Sequence, residues 1–108
     1  MKIENKIKEI IENFFAQKGF SLRSIILFGS MARRDYNEES DFDIFVILNG
    51  DFPQKERREL TVQILRALHK EIKFTPFDVI IKSRKNFEEE KDIVNTISNE
   101  VLREGIKL

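Results

Sequence analysis

Two aspartates one residue apart, Asp41 and Asp43, lead into the apolar run Ile44-Phe45-Val46-Ile47-Leu48. Alternate side chains of a strand share a face, so the two carboxylates project together, roughly 7 Å apart at the ordinary rise per residue. Like charges held this way repel unless a cation joins them. Paired carboxylates on rigid backbone suit hard, oxygen-seeking cations such as Mg²⁺. Upstream, Gly29-Ser30 follows the apolar stretch Ser24 to Phe28 and precedes a short helix-competent run, Ser30 to Arg34. At such a turn, unpaired backbone N–H groups and the Ser30 hydroxyl favour phosphate. A phosphate cradle beside a two-carboxylate metal site describes a place for a nucleoside triphosphate. A third carboxylate, Asp78, sits among apolar neighbours in Phe77-Asp78-Val79-Ile80-Ile81, and a charge in that setting needs compensation.

These residues depend on the elements that carry them. Ile3, Ile7, Ile10, Ile11, Phe14 and Phe15 recur at helical spacing between Lys and Glu, which predicts an amphipathic helix packed on a core. It should stop near Lys18-Gly19, because glycine accepts the left-handed conformation of a helix end. Leu22 to Phe28 and Asp41 to Leu48 read as strands. In the second, Phe42, Ile44, Val46 and Leu48 face one way, and Asp41, Asp43, Phe45 and Ile47 the other. Both faces are apolar past the aspartates, so this strand should be covered on both sides, with the carboxylates at its exposed entry. Asn49-Gly50 is a turn signal. Gln54 to Lys73 reads as a helix with Leu60, Ile64, Leu68 and Ile72 on one stripe, closed by Thr75-Pro76. His69, the only histidine, reads as a helix-end or surface residue.

Geometry then constrains topology. If Gly29 ends one strand at the site and Asp41 starts the next there, those strands are antiparallel. If Asp78 reaches the same place from the start of its own strand, that strand runs parallel to Asp41–Leu48, with the 54–73 helix as a right-handed crossover. The expected fold class is α/β (α+β): a small mixed sheet with flanking helices. Beyond it, Phe87 to Lys91 reads as charged and solvated. Ile93, Val94, Ile97 and Val101 mark a last helix ending at Gly105, and Ile106 to Leu108 a short terminal strand.

Composition narrows the partners. The 108 residues carry 19 Lys plus Arg against 19 Asp plus Glu, so no overall positive field exists to grip a nucleic-acid duplex. The length fits a single domain, 1–108, with one core. There is no cysteine, hence no disulfide framework or zinc ribbon. No apolar run approaches ~18 residues and no signal-peptide core is evident, which gives the expectation of a cytoplasmic protein away from membranes.

The order Gly29-Ser30, ten intervening residues, Asp41-x-Asp43, then a later strand aspartate at Asp78 resembles the signature of the DNA polymerase β-like nucleotidyltransferase superfamily. The fuller string GSMARRDYNEESDFDIFV is similar to that of its smallest members, the minimal nucleotidyltransferases, and the resemblance covers nearly the whole chain. One departure is Arg34, where many relatives have Gly. The resemblance implies a polymerase β palm-like fold, with Asp41, Asp43 and Asp78 as catalytic residues and ligands of two Mg²⁺ ions. Asp78 would serve either as ligand or as proton acceptor for the incoming hydroxyl. Gly29, Ser30 and Arg33 would hold the triphosphate of ATP. Ser30 alone could merely cap a helix, and Arg33 and Arg34 could be solvated surface or phosphate and partner contacts.

The implied activity is transfer of AMP from ATP to a hydroxyl. Minimal members commonly act beside a small all-helical HEPN toxin, so the implied role is an antitoxin that adenylylates a partner tyrosine, with the 31–40 loop meeting that partner. Two alternatives stand beside it. One is an antibiotic-type enzyme modifying a small hydroxylated molecule, although such enzymes usually carry a helical domain absent from these residues. The other is a non-catalytic binding module, which has no physical need for three converging carboxylates.

Overall fold

The computed structural model describes residues 2–29 and 41–108. Helix α1 spans Ile3–Lys18 and buries Ile7, Ile10, Ile11 and Phe15, the stripe that the three- and four-residue spacing predicts. It ends at Gly19, whose φ of 79° is the left-handed cap expected there. Strand β1, Leu22–Phe28, pairs antiparallel with β2, Phe42–Leu48. Helix α2, Gln54–Glu71, then crosses over to β3, Phe77–Ser83, which runs parallel to β2. Two short helices follow, α3 at Arg84–Glu90 and α4 at Ile97–Glu104, and β4, Ile106–Lys107, returns antiparallel to β1. The strand order is β3-β2-β1-β4: a mixed sheet with helices on both faces, as the strand directions required.

Alternation along β2 sorts its side chains between two cores. Phe42, Ile44, Val46 and Leu48 join Val79 and Ile81 of β3 and the apolar stripes of α1 and α2. Phe45 and Ile47 turn to the other face, where they meet Phe28 of β1, Val101 of α4 and the half-buried Phe87 of α3. The polar ends of α3 and α4 are satisfied locally, since the Ser83 hydroxyl accepts from the Asn86 N–H at 3.2 Å and the Thr96 hydroxyl from the Asn99 N–H at 3.1 Å.

Besides one-residue shifts at the strand ends, three features differ from the sequence expectation. Helix α2 stops at Glu71 rather than Lys73, because Ile72 has already turned to φ −119°, ψ 92°, and Phe74 at φ 62° reverses the chain. The last helix begins at Ile97, where the Thr96 cap sets its start, so Ile93 and Val94 lie outside it and are exposed. The 87–91 stretch is not wholly solvated: Phe87 packs its ring 5.8 Å from that of Phe45, although Glu88 and Glu89 around it are exposed.

Candidate functional site

The parallel register pairs Phe42 with Phe77 and Asp43 with Asp78. Residues paired across adjacent strands point to the same face, so the Asp43 and Asp78 carboxylates stand side by side at the entry of the two strands, about 4.8 Å apart in strand spacing. They share the face that carries Phe45, Ile47 and Ile80. Asp43 is half-buried and Asp78 exposed, while Asp41 lies exposed one residue before β2 begins.

The opposite face explains why these aspartates are held. Directly behind them the Phe42 and Phe77 rings pack 5.7 Å apart, and His69 of α2 lies 5.5 Å from Phe77. The Phe42 N–H donates to the Pro76 carbonyl at 3.0 Å, which ties the entry of β2 to the residue before β3. The signal for this support is in the sequence as a repeated dipeptide, Phe42-Asp43 and Phe77-Asp78. Its apolar member anchors each strand start and its acidic member faces away. His69, expected at a helix end or on the surface, does lie in the last turn of α2, where its ring also packs on Phe77.

Gly29 closes the third side. It leaves β1 at φ 71°, and a Cβ there would overlap the Asp43 carboxylate. Both the left-handed backbone and the contact demand glycine, so the chain turns directly against Asp43. Ser30 and Arg33, with the rest of residues 30–40, lie outside the described residues, and so does the stretch expected to meet a partner.

Among the described residues, no three His, Asp or Glu side chains are close enough together to hold a metal ion between them. The structure brings together Asp43 and Asp78, and leaves Asp41 beside them at the strand entry rather than in a three-carboxylate cage. Two carboxylates on adjacent rigid strands nonetheless suit Mg²⁺. That ion usually takes one or two carboxylates and completes its shell with water and substrate phosphate.

A family model described as the nucleotidyltransferase domain matches residues 5–107. Two proteins of Methanocaldococcus jannaschii are similar over shorter segments. The one named "Putative protein adenylyltransferase MJ0604" is 44% identical over 52 residues, covering 48% of this chain and 52% of that protein. The one named "Putative protein adenylyltransferase MJ0141" is 37% identical over 60 residues, covering 56% and 61%. The matches thus span about half to three-fifths of the relatives' length. Among solved structures, a toxin–antitoxin complex with AMP-PNP superposes with a TM-score of 0.60 at 20% identity, over 92% of this chain and 69% of that one. A mutant of the MntA–HpeT toxin–antitoxin pair gives 0.59 at 21% identity, over 96% and 70%. At these identities the superpositions speak for the fold, a mixed sheet flanked by helices. The family model reaches from the first helix to the last strand, and on that match this chain belongs to the nucleotidyltransferase domain family.

Proposed function

We propose that this chain is a Mg²⁺-dependent nucleotidyltransferase that moves AMP from ATP to a hydroxyl of a partner protein, most specifically a tyrosine of a small helical HEPN-type toxin. The observation that carries the reading is the registered pair Asp43–Asp78 with Gly29 packed against Asp43. The similarity to two proteins named protein adenylyltransferases supports adenylyl transfer to protein, and the structural neighbours, a toxin–antitoxin with AMP-PNP and the MntA–HpeT pair, support a toxin partner and an adenine nucleotide.

In this reading Asp43 and Asp78, with Asp41 at the strand entry, would hold the metal. What Mg²⁺ supplies when bound is neutralisation of the triphosphate and acidification of the acceptor hydroxyl. Gly29 admits the triphosphate to the turn, with Ser30 and Arg33 completing the cradle. The acceptor oxygen forms its bond to the α-phosphorus as the bond to the bridging oxygen breaks, and pyrophosphate leaves. Asp78, the more exposed of the registered pair, faces the acceptor side as ligand or as recipient of the hydroxyl proton. The acceptor arrives as a hydroxyl of the partner protein.

The test is incubation of the purified chain with α-³²P-ATP, Mg²⁺ and a co-purified HEPN protein, followed by gel autoradiography and mapping of the labelled residue. Label on a partner tyrosine, lost with EDTA and with Asp43→Asn, is the expected result. Neutralisation of the toxin by an unlabelled complex, undiminished in the Asp43→Asn variant, would replace the enzyme with a binding module.

A further inference from the structure

Strand β3 is the outermost in the order β3-β2-β1-β4, and among the described residues no strand pairs with its outer edge. That edge is the floor of a groove of about 560 Å³, within the size range of ordinary binding sites. The floor runs from Val79 to Lys82, and the walls come from Arg57, Arg58 and Val62 of α2 on one side and Ile97 of α4 on the other. Val62 and Ile97 are 48% and 39% exposed. The groove therefore offers a row of unpaired backbone groups between apolar side chains, the surface that an added strand would cover.

Its charge says what would cover it. Arg57, Arg58 and Lys82 line the groove and no acidic residue does, in a chain whose formal net charge is zero. Lys82 is paired with Glu90 at 3.2 Å, which leaves the two arginines of α2 to set the local potential. A second copy is a poor occupant. Two-fold pairing of β3 edges would place both α2 helices on the same side of the joined sheet and set Arg57 and Arg58 beside their own counterparts.

We propose that the β3 edge binds an extended, acidic segment of a partner protein by strand addition, with carboxylates on Arg57 and Arg58 and apolar side chains against Val62, Ile80 and Ile97. The proposal does not depend on the adenylyl-transfer reading. It does place the docked segment alongside the strand that carries Asp78 as its second residue, so one end of the segment arrives at the carboxylate pair.

The test uses the full ¹⁵N-labelled chain and three fluorescein-tagged eight-residue probes: alternating Glu and Val, alternating Lys and Val, and the Glu–Val peptide with N-methylated backbone. The expected result is saturable binding of the Glu–Val peptide alone, slowed hydrogen exchange of amides between Val79 and Lys82, and binding weakened at least ~10-fold in Arg57→Glu/Arg58→Glu, with dichroism confirming the fold. Should the double variant unfold, the exposed Arg58→Gln is read in its place and should still weaken binding. Equal binding of the Lys–Val or N-methylated peptide, no binding at all, or protection of β3 without peptide in a chain that sediments as a dimer would each overturn the proposal.

Discussion

The face of the sheet under α1 and α2 buries seventeen apolar residues in one cluster, whereas the face under α3 and α4 buries four among the described residues. The acidic pair stands on the thinner side. Packing on the first face is continuous from Ile7 to Ile81. On the second it is confined to Phe28, Phe45, Ile47 and Val101, with short helices above. Among the described residues, apolar burial is concentrated on one face and the acidic pair stands on the other, and the two share the backbone of the sheet. Residues behind the aspartates, such as Phe42 and Phe77, can therefore be packed for rigidity without intruding on the space in front of them.

The sharpest way to break this division is at the acidic pair itself. Asp43→Asn should lower nucleotidyl transfer by ~10²-fold or more, while its unfolding free energy from urea titration changes by no more than ~0.5 kcal/mol. A large loss of stability there would mean that the acidic face is structural after all. Next come the cores. Leu68→Ala, in the larger cluster, should cost ~2–5 kcal/mol in equilibrium unfolding, and Val101→Ala, in the smaller, about 1–2 kcal/mol. Equal costs would erase the contrast. Gly29→Ala joins the two regions: the left-handed backbone should cost ~1 kcal/mol, and the displaced Asp43 carboxylate should reduce transfer more than that loss explains. Activity and unfolding measured on one preparation separate the two.

The smallest effect is expected at the surface. The Lys91 ammonium bonds to the Glu88 carboxylate at 2.7 Å, which holds Glu88 below its ordinary pKa through that hydrogen bond first and the nearby positive charge second. The stabilising contribution of a depressed carboxylate is present above its unfolded pKa and is lost as pH falls through the folded one. Glu88 is exposed and Lys91 partly so, where solvent screens the pair, so Glu88→Gln should barely move the unfolding midpoint near neutral pH. What small difference it makes should vanish in acid. A difference that grows on acidification would reverse the sign of this linkage.

Much of this arrangement is legible in the residue order, because periodicity is a local property. The α1 stripe, the Gly19 cap, the alternation along β2 and the crossover forced by Asp43 and Asp78 all follow from spacing and strand direction. The misplaced boundaries are those where a competing local bond decides. Thr96 captures the Asn99 N–H and starts α4 after Ile93 and Val94, although those residues continue the apolar spacing. Phe87 sits in a charged run, and only the tertiary position of Phe45 explains why it packs inward. At the site, Gly29 packs against Asp43 and Asp43 registers with Asp78, an arrangement that residue order permits and only strand pairing fixes. The Phe42–Phe77 packing behind them depends on a register that no single stretch of sequence states.

The parallel pairing of β2 with β3 also bears on when the site comes into being during folding. Gly29 and Asp43 belong to an antiparallel pair of strands consecutive in sequence. Asp78 joins them only after the α2 crossover has closed, and non-local parallel pairing of this kind forms late because its loop entropy is lost before its contacts form. A chain arrested with β1 and β2 paired would present one carboxylate against Gly29 and no registered partner. Nucleotide-dependent activity would then appear with the slowest refolding phase rather than with the recovery of helix, which makes the acidic pair an internal reporter of completed folding.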